Sequence, residues 1–114
     1  MLNIAVLVSG GGTNLQALLD SEARGENPNG KITLVVASKP GVYALERAAK
    51  AGVEGVVVRR KDYASSEAFD AALLKTLKEH DIDLVVLAGF LSVLGPSVIE
   101  AYPRRILNIH PSLI

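Results

Sequence analysis

The amino-acid sequence predicts an α/β fold with a doubly wound, mainly parallel sheet and helices on both of its faces. Several segments are apolar throughout, such as Leu84–Ala88 (LVVLA), which indicates strands buried on both faces. Amphipathic helical segments separate these runs, as expected of parallel strands joined by crossover helices. The chain has 114 residues and is 49% hydrophobic, which suits one compact domain with a sizeable core.

The first predicted strand and helix flank a glycine-rich loop. Ile4–Val8 is a continuous aliphatic stretch that ends at Ser9–Gly12 (SGGG). Leucines then recur at helical spacing, and Thr13 or Asn14 is available to cap the start of the helix. The polar, turn-rich segment Ala23–Gly30 ends this helix.

A second strand and helix and a third strand follow. Ile32–Ala37 is a β-branched apolar run, and Val42–Ala51 resumes a helical pattern that Gly52 closes. Val53–Val58 is the third, short strand. The basic triplet 59–61 (RRK) comes next; a charge run of this kind is typically solvated, and attraction of anionic substrates is the alternative.

The best helical pattern of the chain begins at Ser65 or Ser66. Large apolar residues lie four apart on one face, and cations crowd the last turns, where they complement the helix dipole. His80 at the end of this helix is expected to be structural. The remaining segments are a fourth strand, a short helix and a fifth strand: Leu84–Ala88, Pro96–Tyr102 and Ile106–Ile109.

Composition restricts the classes of partner. The 12 Lys and Arg balance the 12 Asp and Glu, so the basic surface expected of a nucleic-acid or membrane-surface binder is missing, and a small molecule or a protein is expected. The absence of cysteine predicts a cytoplasmic protein, and the two histidines argue against a metal site. Met1–Val8 is too short for a membrane span and lacks the basic start of a signal peptide.

The loop Ser9–Asn14 predicts an anion site. Its glycines allow close approach to backbone N–H groups at the positive end of a helix, so a phosphate is expected; a tight turn needed for packing alone is the alternative. Leu15 replaces the third glycine of a dinucleotide fingerprint, no acidic residue follows the second strand, and the Lys-Ser/Thr pair of a Walker A loop is missing. Of the phosphate ligands considered for this loop, the phosphate of a mononucleotide-like molecule remains.

Asn108 and His110 end the fifth apolar run. In a strand both side chains point to the same face, which places an amide donor and an imidazole in one pocket. This pair suits addition of a nucleophile to a carbonyl, because the amide stabilises an oxyanion and the imidazole moves a proton. Structural hydrogen bonds at a strand end are the alternative.

Three motifs in order resemble the phosphoribosylglycinamide formyltransferase family, folate-dependent enzymes of purine synthesis. They are GGGTNLQALL, LAGFLSVL and NIHPSL, at residues 10–19, 87–94 and 108–113. The resemblance runs over the whole chain. Methionyl-tRNA formyltransferases and formyltetrahydrofolate hydrolases share the Asn-x-His pattern but lack this glycine loop, so another formyltetrahydrofolate-using hydrolase or transferase is the alternative within the wider group.

The resemblance implies a substrate site and a Rossmann-like domain. Gly11, Gly12, Thr13 and Asn14 would bind the 5′-phosphate of glycinamide ribonucleotide, and Pro111 would fix the backbone beside the substrate. The whole chain is expected to be the amino-terminal Rossmann-like domain of such an enzyme.

The resemblance also implies a folate pocket. Leu91, Ser92, Val93 and Leu94 would line it largely through backbone groups, and Asn108 would contact the folate as well. Core packing is the other role open to these apolar residues, and both roles are compatible. Some family members carry arginine at the positions of Ser92 and Ser66, so contacts to the glutamate tail of the folate are expected to differ.

The implied reaction is formyl transfer from the co-substrate 10-formyltetrahydrofolate to the amino group of glycinamide ribonucleotide. Asn108 would bond the developing oxyanion, and His110 would assist by hydrogen bonding or proton transfer. No metal is implied. Family members continue beyond this length, with a catalytic aspartate, so residues 1–114 are expected to be truncated before a carboxyl-terminal part. A catalytically incomplete phosphate- or nucleotide-binding fragment is therefore the second hypothesis, with self-association or a complementing carboxyl-terminal portion as its expected partner.

Overall fold

In the computed structural model, which describes residues 1–26, 29–90 and 94–109, five parallel strands form one sheet with helices on both faces. The prediction of a doubly wound α/β fold is confirmed. The elements are β1 (Leu2–Val8), α1 (Thr13–Ala23), β2 (Gly30–Ala37), α2 (Tyr43–Lys50), β3 (Glu54–Val57), α3 (Ser66–Glu79), β4 (Leu84–Ala88), α4 (Pro96–Ala101) and β5 (Ile106–Ile109). A 3₁₀ helix, Arg60–Asp62, precedes α3.

The strand order is β3-β2-β1-β4-β5. The chain places β2 and then β3 on one side of β1. It then crosses back and places β4 and then β5 on the other side. Right-handed crossovers therefore put the first two helices on one face and the last two on the other. The strand order therefore reverses between β1 and β4.

Two separate cores reflect this arrangement. One face of the sheet packs against Leu15 and Leu19 of α1 and Ala44 and Ala48 of α2. The other packs against α3 and α4 through five large buried residues: Phe69, Leu73, Leu77, Val98 and Tyr102. Residues of β1 alternate between the two cores, so the continuous apolar run corresponds to a strand buried on both sides, as predicted.

The third strand is shorter and more exposed than predicted. The predicted segment Val53–Val58 contains the strand Glu54–Val57, in which only Val56 is partly buried. The reason is its position: β3 pairs with β2 alone and forms an edge of the sheet in the described residues. Before the strand, the Val53 N–H donates to the Ala48 carbonyl (2.8 Å) and not to β2.

Local signals place the helix ends. Ser65 caps α3, because its side chain accepts a hydrogen bond from the Ala68 N–H (3.1 Å). Gly52 takes a positive φ of 75° after α2, where glycine avoids the strain of the left-handed region. In the described ranges no helix combines the length and the apolar character needed to cross a membrane.

Candidate functional site at the carboxyl ends of the strands

The candidate site lies where the strand order reverses, at the carboxyl ends of β1 and β4. Parallel α/β sheets open a crevice at this point because the helices leave toward opposite faces. The Ser9 N–H donates to the Gly89 carbonyl (3.2 Å), and this bond joins the residues that follow the two strands. The glycine loop and the end of β4 therefore form one surface.

The glycine loop runs directly into α1. Gly12 is the N-cap residue, so the prediction that Thr13 or Asn14 caps this helix is wrong; both are its first helical residues. Gly12 has no side chain to occupy the helix start, and the first turn contains no acidic residue. The positive end of α1 is therefore available to an external anion, as the sequence predicts for this loop.

Gly12 is required by its conformation and by a close contact. Its φ of 81° lies in the left-handed region, which non-glycine residues rarely adopt. A Cβ atom at Gly12 would also lie 2.8 Å from the Cβ atom of Ala44 in α2. The helix thus packs directly against the loop backbone and fixes its position.

Arg47 of α2 secures the loop, a role that the sequence analysis missed. Its Nε atom donates to the Gly11 carbonyl (2.8 Å), and Nη1 donates to the Gln16 side chain (3.1 Å). Its guanidinium lies 4.6 Å from the centre of the Tyr43 ring, a cation–π contact within the same helix. The sequence signal was weak, because Arg47 lies 36 residues from Gly11 in the chain. Its four-residue spacing from Tyr43 indicates only that the two side chains are neighbours on one face of a helix.

Asn108 lies in β5, directly beside Leu87 of β4, and its side chain is exposed. Side chains alternate along a strand, so Asn108 shares a face with Ile106, which packs against the core of α3 and α4. It is two strand spacings from the end of β1, about 10 Å. His110 and Pro111, also predicted site residues, lie outside the described residues.

The segment after β4 is anchored by a buried carboxylate. Asp70 of α3 is only 2% exposed and accepts hydrogen bonds from the Gly95 N–H (2.9 Å) and the Ser97 N–H (2.8 Å). Leu94 packs, partly buried, against the same core. The sequence analysis missed Asp70, because the pattern of α3 does not distinguish it from the other acidic residues of this helix, Glu67 and Glu79. The other predicted folate-pocket residues, Leu91, Ser92 and Val93, lie outside the described residues.

The described ranges were also expected to lack a metal site. No group of three or more His, Cys, Asp or Glu side chains lies close enough together there to hold a metal ion. Among the described residues, the candidate site offers backbone N–H groups, the side-chain amides of Asn14 and Asn108, and nearby cations.

Sequence comparison relates the chain to known proteins. The family model described as formyl transferase matches residues 2–114. The chain is 39% identical over 113 residues to phosphoribosylglycinamide formyltransferase of Escherichia coli strain K12, covering 99% of this chain and 53% of that protein. It is 43% identical over 112 residues to the trifunctional purine biosynthetic protein adenosine-3 of Chironomus tentans, covering 97% of this chain and 8% of that protein. The chain thus spans about half of the bacterial relative and a small part of the insect protein.

Solved structures show the same fold. Glycinamide ribonucleotide transformylase 1 from Symbiobacterium toebii superposes with a TM-score of 0.92 at 46% identity, covering 100% of this chain and 53% of that one. The corresponding protein from Geobacillus kaustophilus also gives a TM-score of 0.92, at 43% identity, covering 100% of this chain and 60% of that one. The likeness therefore extends over every element of the sheet.

Proposed function

This chain belongs to the formyl transferase family, and we propose that it supplies the phosphate-binding part of an enzyme that formylates the amino group of glycinamide ribonucleotide. The formyl donor is 10-formyltetrahydrofolate. The observation that carries the proposal is the placement of the glycine loop and Asn108 near the carboxyl ends of β1 and β5, with only β4 between them, in a chain 39% identical to a formyltransferase of this name. The neutral, cysteine-free composition suits an enzyme of the cytoplasm that acts on small molecules.

The 5′-phosphate of the substrate binds at Gly11, Gly12, Thr13 and Asn14. The uncapped start of α1 offers backbone N–H groups and a positive dipole end to the phosphate oxygens. Arg47 keeps the loop in this shape by holding the Gly11 carbonyl. Pro111 restricts the backbone next to the substrate.

Asn108 and His110 serve the transfer itself. The substrate amine forms a bond to the formyl carbon, and the bond from that carbon to the folate nitrogen breaks, with the amine proton ending on that nitrogen. The Asn108 side-chain N–H donates to the oxygen on which negative charge develops, and His110 assists the movement of the proton. No step requires a metal ion.

The folate lies against the segment after β4. Leu91, Ser92, Val93 and Leu94 face it largely through backbone groups, and Asn108 reaches it from β5. Asp70 supports this proposal, because its two hydrogen bonds hold the backbone immediately after Leu94 in a fixed place.

The test is the substitution Asn108→Ala in a complete enzyme that contains this chain. We expect turnover to fall by roughly 100- to 1,000-fold, since one oxyanion donor is lost. The product, formylglycinamide ribonucleotide, is measured by mass spectrometry. Because Asn108 is exposed, the thermal unfolding of the variant should match that of the parent. Unchanged turnover would remove Asn108 from the catalytic pair.

A second function is proposed for the 114-residue chain by itself: binding of phosphorylated substrate without turnover. The chain spans 53% of the E. coli relative, which favours a division of the site between this part and the remainder. Calorimetry with glycinamide ribonucleotide should show binding that Asn14→Ala weakens. Formyl transfer should appear only when the remaining part of the relative is added as a separate fragment, and rapid transfer by the chain alone would contradict this second function.

A further inference from the structure

A cleft of about 610 Å³ opens beside the glycine loop, at the carboxyl ends of β1, β2 and β3. Its lining comes from three separate segments of the chain: Ser9, Ser38, Lys39, Pro40, Arg59, Arg60 and Lys61. The Val58 N–H donates to the Ala37 carbonyl (3.0 Å), so the segments that follow β2 and β3 leave the sheet side by side. The volume is within the usual range for small-molecule sites.

The charge of this cleft is of one sign. Four of its seven lining residues are cationic, and none is acidic. Asp62 lies just outside and approaches Arg59 at 3.8 Å, a long contact between partly exposed groups. Neither Lys39 nor Lys61 has an ion-pair or hydrogen-bond partner among the described residues. A concave surface with uncompensated charge concentrates the electrostatic potential within it.

Two hydroxyl groups of the cleft lining are hydrogen-bonded to each other. Ser9 is only 4% exposed, and the Ser38 hydroxyl donates to Ser9 Oγ at 2.7 Å. The Arg60 guanidinium donates through Nη1 to the Tyr63 carbonyl (3.1 Å), which restricts the direction of that side chain. The lining therefore combines four cations with two hydroxyl groups, which are suitable partners for oxyanions.

This cleft differs from the phosphate loop. Residues 10–14 are not part of its lining, which touches the loop only at Ser9. The cation nearest to the loop, Arg47, bonds Gly11 and Gln16 instead of lining the cleft. A ligand in the cleft would lie next to a phosphate at the start of α1 without replacing it.

We propose that the cleft is a second anion site, which binds a small molecule carrying several closely spaced oxyanions. A run of linked phosphates and a run of carboxylates share this chemistry, and the four cations neutralise either one. The site goes beyond the formyl-transfer function and does not depend on it, since no residue of the proposed catalytic pair contributes to it.

The test measures binding of two probes to the full 114-residue chain by calorimetry at low ionic strength. The probes are inorganic tripolyphosphate and tetraglutamate, with inorganic monophosphate as the weakly charged comparison. We expect saturable binding of at least one probe, and the double substitution Lys39→Gln, Lys61→Gln should weaken it by roughly tenfold or more, since two cations are lost. The tighter probe identifies the ligand class as phosphate or carboxylate.

Two matched variants complete the test. Lys31→Gln with Lys75→Gln removes the same charge from exposed positions outside the cleft, and its binding should stay within about twofold of the parent. Asn14→Ala alters the phosphate loop and should leave intact the binding that the double substitution Lys39→Gln, Lys61→Gln weakens. The proposal is overturned if neither probe binds, if both lysine pairs weaken binding equally, or if Asn14→Ala abolishes binding while the cleft variant retains it. None of these outcomes bears on formyl transfer.

Discussion

Gly12 leaves little room for substitution, because its conformation and its contact with α2 act together. Alanine there would adopt a φ of 81° and place a Cβ atom 2.8 Å from the Cβ atom of Ala44. We expect Gly12→Ala to lower the free energy of unfolding by roughly 1–3 kcal/mol, measured by urea denaturation. Affinity for phosphorylated substrate should fall as well, because the start of α1 moves.

Gly10 provides the matched control within the same loop. A Cβ atom at this position meets nothing within 4 Å, and Gly10 is not among the glycines of positive φ. Gly10→Ala should therefore change the free energy of unfolding by less than about 0.5 kcal/mol. Equal losses in the two variants would show that the contact with Ala44 is not what restricts residue 12.

Single residues of the site were predictable to different degrees. The glycine loop follows an apolar strand and Asn108 lies near the end of another, so the sequence predicts that both lie at the carboxyl edge of the sheet, and their roles there stay predictions. Arg47 and Asp70 could not be found in this way. Each acts on a backbone more than 20 residues away, and nothing in the local pattern of α2 or α3 specifies that distant partner.

At the scale of elements, Asp70 joins α3 to the start of α4. Replacing it with alanine leaves the Gly95 and Ser97 N–H groups without their acceptor in a partly buried position. We expect Asp70→Ala to cost roughly 1–3 kcal/mol of unfolding free energy, by the penalty for buried donors that lose their partner. Chemical denaturation followed by circular dichroism measures the loss.

Glu67 supplies the comparison for Asp70, since it is an exposed acidic residue of the same helix. Glu67→Ala should have a small effect. In the complete enzyme, Asp70→Ala should also raise the KM for the folate substrate more than it lowers kcat, because Asp70 positions the segment after β4 without touching reacting groups. A stability loss no larger than that of Glu67→Ala would contradict the anchoring role.

His80 connects the end of α3 to the edge strand β3. Its Nδ1 atom lies 2.7 Å from the Thr76 carbonyl and its Nε2 atom 2.8 Å from the Glu54 carboxylate. Both contacts favour the protonated ring, first the Thr76 carbonyl and then Glu54, so the pKa of His80 is raised above its usual 6.5. His80 is thus structural in the described residues, as the sequence analysis expected.

The raised pKa predicts how stability depends on pH. Because the folded protein holds the proton more tightly than the unfolded chain, the stabilisation is complete below the unfolded pKa and is lost as pH rises through the folded pKa. The unfolding free energy of the parent minus that of His80→Gln should therefore decrease as pH rises above about 6.5. Urea denaturation across this range measures the difference.

Glu54→Gln separates the two contacts of His80. It removes the charged partner but keeps the Thr76 carbonyl, so the pH dependence should become weaker without vanishing. A pH dependence that is the same in the parent and in His80→Gln would place its origin in another group.

The bounds of several elements were predicted closely from the sequence. The bounds of β4 and β5 match the apolar runs, and α3 begins directly after its predicted cap. The third strand was predicted too long, because Val53 and Val58 continue its apolar sequence although they lie outside β3. The capping of α1 was wrong because glycine serves as N-cap without any side-chain signal.

For the whole molecule, composition concealed an uneven distribution of charge. The net charge is zero, yet four of the 12 Lys and Arg residues line one cleft. The triplet at 59–61 was expected to be solvated, and Arg60 and Lys61 are exposed; the fold also brings the triplet and Lys39 into the lining of one cleft. This proximity depends on the order of the strands in the sheet. The sequence predicts the class of fold, a doubly wound sheet, but not that order. The expected truncation and self-association remain predictions.

The central position of β1 has a consequence for the order in which the protein is made. The chain leaves the ribosome amino terminus first, so β1, β2 and their helix can assemble early, while the other edge of β1 must wait for β4. The hydrogen bond from the Asn3 N–H to Asp83 spans 80 residues, and the bond from Ser9 to Gly89 spans a similar distance. Contacts of such long range close slowly. During much of its synthesis, a nascent chain therefore lacks the contacts between its glycine loop and the end of β4. The edge of β1 that later pairs with β4 is exposed in this period and is open to a chaperone.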